Sequence, residues 1–288
     1  MLLDIKKPIF INGLGRSGSS IFHQIFSKHP QVAWLSPLCD RYPKRPELNR
    51  MLMKSIDLPV AGKYLARYFG PEECYGFWET YCRGFRTPCR DLVKDDVTEK
   101  SKHQIRNALS KTYSKNRERL LIKITGWPRI GYLKEIFNDA IFVHVKREPR
   151  AVANSFLDVS WWWGWRGPQN WRWGELTEEY KQLWEAHDKS FIALAGIAYR
   201  TYQDALDSAI QHIDNSSYIE VSYEEMCSNP ILTFKNVVEI CELNWTEEFE
   251  RTVKLTKLKN SNYKWENDLT KKQKEILENV LNYKADTI

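Results

Sequence analysis

Short apolar runs alternate along this chain with longer segments in which apolar residues recur every three or four positions. Pro8 to Asn12 (PIFIN), Val32 to Leu35, Leu120 to Ile124 (LLIKI), Ala140 to Val145 (AIFVHV) and Ser217 to Val221 (SYIEV) read as strands. Most are apolar on both alternations, the pattern of a parallel sheet covered on both faces. Helical spacing predicts helices over Ser19 to Lys28, Thr177 to His212, Ile231 to Cys241 and Thr270 to Leu281, with an amphipathic segment from Gly131 to Phe137. In the longest of these, Leu183, Trp184, His187, Phe191, Leu194, Ala198, Tyr202 and Ala205 recur at three- and four-residue steps. The alternation of strands and helices predicts an α/β protein of three layers, one domain over residues 1–288. Residues 42–115 carry weak helical patches and many charges but no clear strand, and read as a helical insertion over the carboxyl edge of the sheet.

The composition narrows the class. The 288 residues hold 43 Lys and Arg against 37 Asp and Glu, with 42% hydrophobic and 28% charged residues, an ordinary globular balance. No apolar stretch approaches the roughly 20 residues of a membrane span. The opening MLLDIKKPIFING lacks a secretory pattern, so the expectation is a soluble, cytoplasmic protein. The formal charge of +6 is mild and its cations are spread, which does not mark a nucleic-acid partner. Cys39, Cys74, Cys82, Cys89, Cys227 and Cys241 form no CxxC and no paired Cys/His spacing, so reduced thiols and no metal site are expected.

Gly13-Leu14-Gly15-Arg16-Ser17-Gly18-Ser19-Ser20 follows the first strand and opens the first helix. Backbone N–H groups converge in such a turn and the helix dipole adds positive potential, so an anion is the expected ligand. Three readings compete. The glycines fit the GxGxxG dinucleotide fingerprint, which wants an acid closing the second strand to bind a ribose. That strand ends Trp34-Leu35-Ser36, and Asp40 comes four residues late. The spacing also opens a triphosphate loop, but Ser19 stands where Lys is needed. The fourth strand ends in Lys146 and Arg147 rather than an acid that would hold Mg²⁺. The third reading uses the cations. Arg16 lies inside the turn, and Lys146-Arg147-Glu148-Pro149-Arg150 leaves the fourth strand with Pro149 at a helix start and Ser155 two turns along. Two anion sites at two strand ends suit a nucleotide phosphorylated at both ends of its ribose.

With these residues in place, the sequence resembles the sulfotransferases that use 3′-phosphoadenosine 5′-phosphosulfate (PAPS). Their first motif stands here as Gly15-Arg16-Ser17-Gly18-Ser19-Ser20, and their second as Arg147-Glu148-Pro149-Arg150 through Ser155. Lys123 matches the Lys of a family strand end, and Tyr223-Glu224 matches another, over a resemblance running from about Pro8 to Trp265. The resemblance implies a P-loop-like nucleotide-binding core with a central parallel sheet, helical insertions and a helical C-terminal part. It implies in-line transfer of a sulfuryl group from PAPS to a hydroxyl or amine, leaving adenosine 3′,5′-bisphosphate (PAP). Ser17 to Ser20 would hold the 5′-phosphate and sulfonate, Arg16 and Lys123 the bridging oxygen, and Arg147 and Ser155 the 3′-phosphate, with Tyr223 at the nucleotide end. No metal is required.

A hydroxyl acceptor needs a general base. Asp40 stands about where some relatives carry a carboxylate, and Glu79 and His103 are rivals. The Trp-rich loop of residues 160–175 carries Trp161, Trp162, Trp163, Trp165, Trp171 and Trp173. Indoles stack on sugars and line apolar pockets, and Arg166 and Arg172 suit an anionic acceptor, so this loop is expected to contact a carbohydrate, lipid or other small acceptor. The alternatives are a Rossmann-type oxidoreductase and a nucleotide-binding module without catalysis.

Overall fold

Five strands, β1 (Ile9–Gly13), β2 (Val32–Trp34), β3 (Arg119–Thr125), β4 (Ile141–Lys146) and β5 (Tyr218–Ser222), pair in the order β2-β3-β1-β4-β5. Every pairing is parallel, with Ile9 beside both Leu121 and Ile141, and Lys146 beside Ser222. The computed structural model describes residues 4–284 apart from residue 212. All five strands fall where the apolar runs predict them, with bounds moved by a residue or two.

The helices along the chain begin with α1 (Ser19–Phe26) and α2 (Pro37–Arg41). Then come α3 (Glu47–Ile56), α4 (Ala61–Tyr68), α5 (Tyr75–Tyr81) and α6 (Glu99–Leu109), which fill the stretch read as a helical insertion. After β3 and β4 follow α7 (Ile130–Ile136) and α8 (Pro149–Phe156), then α9 (Glu178–Ala186) and α10 (Phe191–Ile210). The C-terminal part holds α11 (Tyr223–Ser228), α12 (Pro230–Ile240), α13 (Glu247–Leu255), α14 (Lys264–Asp268) and α15 (Lys271–Leu281).

The helix expected over Thr177 to His212 is two helices. Asp188 and Lys189 adopt left-handed backbone, φ 54° and 53°, and the Ser190 hydroxyl then caps the amide of Ile192 to start α10. The apolar spacing continues across this break because both helices pack on one core, so periodicity alone hides it. The boundary at His212 lies outside the described residues.

Side-chain alternation along β1 divides the interior in two. Ile9 and Ile11 join Phe22 and Phe26 of α1, Phe234 of α12 and Phe249 of α13. Phe10 points the other way, with ring centroids 5.7 Å from Phe137 and Phe142 and 6.3 Å from Trp78. Helices therefore cover both faces, giving three layers. Asn12, on the second face, accepts from the Tyr202 hydroxyl at 2.7 Å and donates to Pro128 O at 2.5 Å. That link fixes α10 and the loop after β3 against the end of β1. The carboxyl ends of β1, β3, β4 and β5 all open on one side, where ligands of parallel α/β sheets bind.

Candidate active site

The turn between β1 and α1 is shaped by two glycines that cannot carry a side chain. A Cβ on Gly18 would lie 2.4 Å from the Tyr223 ring, and one on Gly15 would lie 2.9 Å from Trp161. Gly18 is also left-handed, φ 95°, as is Arg16 at φ 75°. The first helical hydrogen bond runs from Phe22 N–H to Gly18 O at 3.1 Å, so the amides of Gly18, Ser19 and Ser20 precede the helical ladder. No acid sits in the first turn of α1. Ser17 is buried, and its hydroxyl has no partner among the described residues.

Cations approach this turn from three strand ends. Arg147, leaving β4, donates to Asn262 Oδ1 at 2.8 Å, Ser261 Oγ at 3.1 Å and Arg16 O at 3.0 Å. Its guanidinium also lies 4.7 Å from the Tyr223 ring centroid, and Tyr223 is itself held by its hydroxyl to Lys259 O at 2.8 Å. Burial lowers the Arg147 pKa from its ordinary value and raises that of Tyr223. Arg16 is exposed and donates from Nε to Ser155 Oγ at 2.8 Å, so the glycine turn and the motif that leaves β4 touch. Lys123, on β3, is buried; its Nζ donates to Ser20 Oγ at 2.8 Å and pairs with Glu73 Oε1 at 2.8 Å. Arg150 turns away, pairing with Glu148 at 2.7 Å and Glu278 at 3.3 Å and covering Trp265.

These groups border a cavity of about 500 Å³, lined by Gly15, Arg16, Gly18, Ser19, Ser20, Arg147 and Tyr223 on one side and by Glu73, Arg86, Trp161, Arg172 and Trp173 on the other. That is the size range of nucleotide and small-ligand sites. A second cavity of about 380 Å³ shares Glu73, Tyr75, Arg86 and Arg172 with it and adds Asp40, Glu72 and Lys123. Glu72 has its pKa raised, first by burial and then by Asp40 and Glu73.

The three candidate bases fall in different places. Asp40 lines the second cavity, where its Oδ1 accepts from the amides of Gly76 at 2.7 Å and Phe77 at 3.1 Å and so anchors the start of α5. Glu79 lines neither cavity, because its carboxylate takes the amides of Gly84 at 2.8 Å and Arg86 at 2.9 Å. His103 is exposed on α6 and lines neither cavity. Glu73, which lines both, stands out in the structure and not in the sequence. It precedes a short helix in Pro71-Glu72-Glu73-Cys74, a tetrapeptide with no motif, and only the fold brings it to Lys123.

The Trp-rich loop divides its indoles. Trp161 and Trp173 line the main cavity, with Arg172 5.5 Å from the Trp161 ring and Trp127 5.4 Å from Trp173. Trp162 and Trp171 are buried, the first stacked on Phe156. Trp163 and Trp165 are about half exposed, and Arg166 covers Trp163 rather than the cavity.

A parallel sheet with a glycine turn at one strand end, a buried Lys123 on β3 and a half-buried Arg147 after β4 frames an anion-binding crevice. The chain belongs to the Sulfotransferase family, whose pattern it matches over residues 8–247. No curated protein matches it in sequence. Its fold is similar to that of sulfotransferase STF9 from Mycobacterium avium, at 16% identity and a TM-score of 0.60, covering 96% of this chain and 75% of the other. Sulfotransferase STF1 from Mycobacterium tuberculosis H37Rv is similar at 15% identity and a TM-score of 0.54, covering 96% of this chain and 77% of the other. Mouse sulfotransferase SULT7A1, solved with PAP, aligns at 12% identity and a TM-score of 0.47, covering 96% of this chain and 84% of the other.

Proposed function

We propose that the protein is a PAPS-dependent sulfotransferase acting in line on a hydroxyl or amine of a small acceptor that carries a negative charge. The observation that supports this reading is that Arg16 and Arg147 line one cavity at the amide end of α1, while Lys123, from the adjoining cavity, reaches Ser20 of the same turn. The donor set suits a ligand with two separate anionic groups: unpaired amides at one end, a fixed guanidinium and a serine at the other. The Gly18 cradle, which a Cβ would fill, fits close approach of a phosphate. Neither triphosphate hydrolysis nor a dinucleotide is favoured, since the strand ends here supply cations where those ligands need acids.

Bound PAPS would supply the sulfuryl group and a bisphosphate leaving group. The amides of Gly18, Ser19 and Ser20 would hold the 5′-phosphate, and Gly15 and Ser17 would shape the loop beneath it. Arg147 would hold the 3′-phosphate together with Ser155, and Tyr223 would position the Arg147 guanidinium through the face of its ring. Arg16 now donates to Ser155. A 3′-phosphate engaging that hydroxyl would leave the Arg16 charge for the bridging oxygen. Lys123 is already held at Ser20 and would neutralise the same oxygen as it leaves.

Glu73 is our choice for proton acceptor, because it lines both cavities and is oriented by Lys123 and by the Thr125 hydroxyl at 2.8 Å. Asp40 would act at one remove, fixing the segment that carries Glu73. Arg86 and Arg172 line both cavities without an ion pair among the described residues, so an acceptor with a carboxylate, sulfate or phosphate beside its reacting group fits best. Trp161 and Trp173 would carry its apolar or sugar face.

The test is transfer from ³⁵S-labelled PAPS to paired acceptors, acidic and neutral forms of the same sugar, phenol or lipid headgroup. The proposal expects label on the acidic members, lowered about a hundredfold or more by Lys123→Ala. Labelling of the neutral members alone would remove the anionic acceptor, and no labelling with intact PAP binding would favour a binding module.

A further inference from the structure

The basic excess of the protein is concentrated away from the cavity. Residues 41–68 hold seven Lys and Arg against Glu47 and Asp57, a surplus of five where the whole chain has six. Asp57 is taken by Arg117 at 2.9 Å and Arg50 by the carbonyls of Lys111 and Ser110. Arg41, Lys44, Arg45, Lys54 and Arg67 are all exposed, and none has an ion pair among the described residues.

The same segment exposes apolar side chains. Met51 is 63% exposed, Leu58 52%, Val60 72%, Tyr64 73% and Tyr68 80%, so the hairpin of α3 and α4 presents its tip and one helix face to solvent. The opposite face of α4 is spoken for: Leu65, Ala66 and Phe69 pack on the main core, and a Cβ on Gly62 would strike Ile56 O at 1.9 Å. The hairpin is therefore a closely packed unit whose outward apolar residues face solvent, Tyr68 also meeting the Phe69 ring edge-on at 4.9 Å. Lone exposed apolar residues are ordinary, but five within 18 positions of one hairpin, with Lys54 and Arg67 exposed among them and Arg41, Lys44 and Arg45 just before α3, make up an apolar and basic surface segment.

We propose that this hairpin docks on an anionic lipid surface, with Leu58, Val60, Tyr64 and Tyr68 entering the interface and Lys54 and Arg67 meeting the headgroups. Charge selects this occupant. A second copy of the chain would bring five cations against five in a two-fold contact, which repels. Phosphates alone would leave the aliphatic tip at Leu58 and Val60 without a partner, whereas a bilayer takes both kinds of group. The chain runs from α4 through Phe69 to Glu72 and Glu73, so the hairpin is joined directly to the segment that lines the second cavity. The inference stands without the transferase reading, since lipid binding is measured without donor or acceptor.

The experiment is co-sedimentation of the intact protein with vesicles of phosphatidylglycerol and phosphatidylcholine mixed, and of phosphatidylcholine alone, at low and at physiological salt. The mixed vesicles should pellet the protein, the neutral ones should not, and added salt should weaken pelleting. Lys54→Glu with Arg67→Glu should lower partition by about thirtyfold or more, from about 1 kcal/mol per cation. Val60→Asp with Tyr64→Asp should abolish it. Circular dichroism melts unchanged from wild type would show both variants folded. No pelleting by the mixed vesicles, pelleting unaffected by either pair, or a change in oligomeric state on substitution would each overturn the proposal.

Discussion

Lys123 Nζ lies 2.8 Å from Glu73 Oε1 and donates to Ser20 Oγ, so it joins the start of α1 to the carboxylates of the second cavity. Lys123 is 7% exposed, so its charge is met by protein rather than by water. On the function proposed above, this pair would put a cation for the leaving group and a base for the incoming one side by side.

Substituting either partner separates these roles. Lys123→Ala should cost about 10²- to 10³-fold in kcat, the usual loss of one charge-stabilising donor. Glu73→Gln keeps the size and an acceptor for Thr125, and should cost about 10²- to 10⁴-fold as a lost general base. Glu73→Gln should leave PAP affinity within a few fold by calorimetry, whereas Lys123→Ala should weaken PAP by roughly tenfold or more through its lost contact with the 5′-phosphate oxygen. A Glu73→Gln enzyme with full activity would move the base elsewhere, with Asp40→Asn the next variant to assay.

Gly18→Ala tests the loop. The added methyl meets the Tyr223 ring at 2.4 Å on left-handed backbone, so a shift of Tyr223 must follow, and with it of Arg147. The backbone penalty alone is about 1–2 kcal/mol, so the cradle conformation and with it PAP affinity should be lost by roughly five- to thirtyfold. Unchanged affinity would mean that the loop does not cradle the nucleotide.

Arg147 should carry the discrimination between nucleotides. Loss of a hydrogen bond to a charged group costs about 1.5–3 kcal/mol, so Arg147→Ala should weaken PAP by roughly ten- to a hundredfold. Binding of 5′-AMP should hardly change. Equal losses for both would place Arg147 in general support of the loop and not at the 3′-phosphate.

Acid should loosen the same region. His23, in α1 beside Lys123, is buried with its Nε2 unpartnered, and burial, then Lys123, lowers its pKa to about 3; burial also lowers that of His29 to about 4. Both imidazoles are neutral in the fold and protonate more readily when unfolded. Their contribution is therefore full above about pH 6.5 and is lost as pH falls toward those folded values, by about 1.4 kcal/mol per pH unit for each group. Asp91 acts in the opposite sense: burial raises its pKa to about 6, so its share falls as pH rises from about 4 to 6. With two histidines against one aspartate, thermal stability should drop between pH 6.5 and 4, and His23→Gln should flatten the slope. A slope unaltered by His23→Gln would exclude that group.

Much of this was legible in the chain, and the failures have local causes. The strands were visible because a sheet covered on both faces needs apolar residues on both alternations, as in Ile9, Phe10 and Ile11. The loop and the β4 turn were visible because the motifs of the family depend on short-range residue order: glycines at fixed steps, Pro149 at a helix start, Ser155 two turns on. The break at Asp188 and Lys189 was hidden, since left-handed residues other than glycine leave no pattern. Glu73 was hidden for a different reason. Its partner Lys123 is 50 residues away in sequence, and the pair exists only because β3 lies beside the segment leading into α5. Among the Trp residues, sequence located the loop but not the division of labour, which follows from Trp161 lying over Gly15.

The most direct test of the central claim is a calorimetric titration of the protein with PAP, set against 5′-AMP, ATP and NAD under one buffer. A pocket built from the α1 amides, Arg147 and Ser155 predicts one PAP per chain, bound at least tenfold more tightly than 5′-AMP, with NAD and ATP weaker still. Tighter binding of NAD or ATP than of PAP, or no preference for the 3′-phosphate, would contradict it.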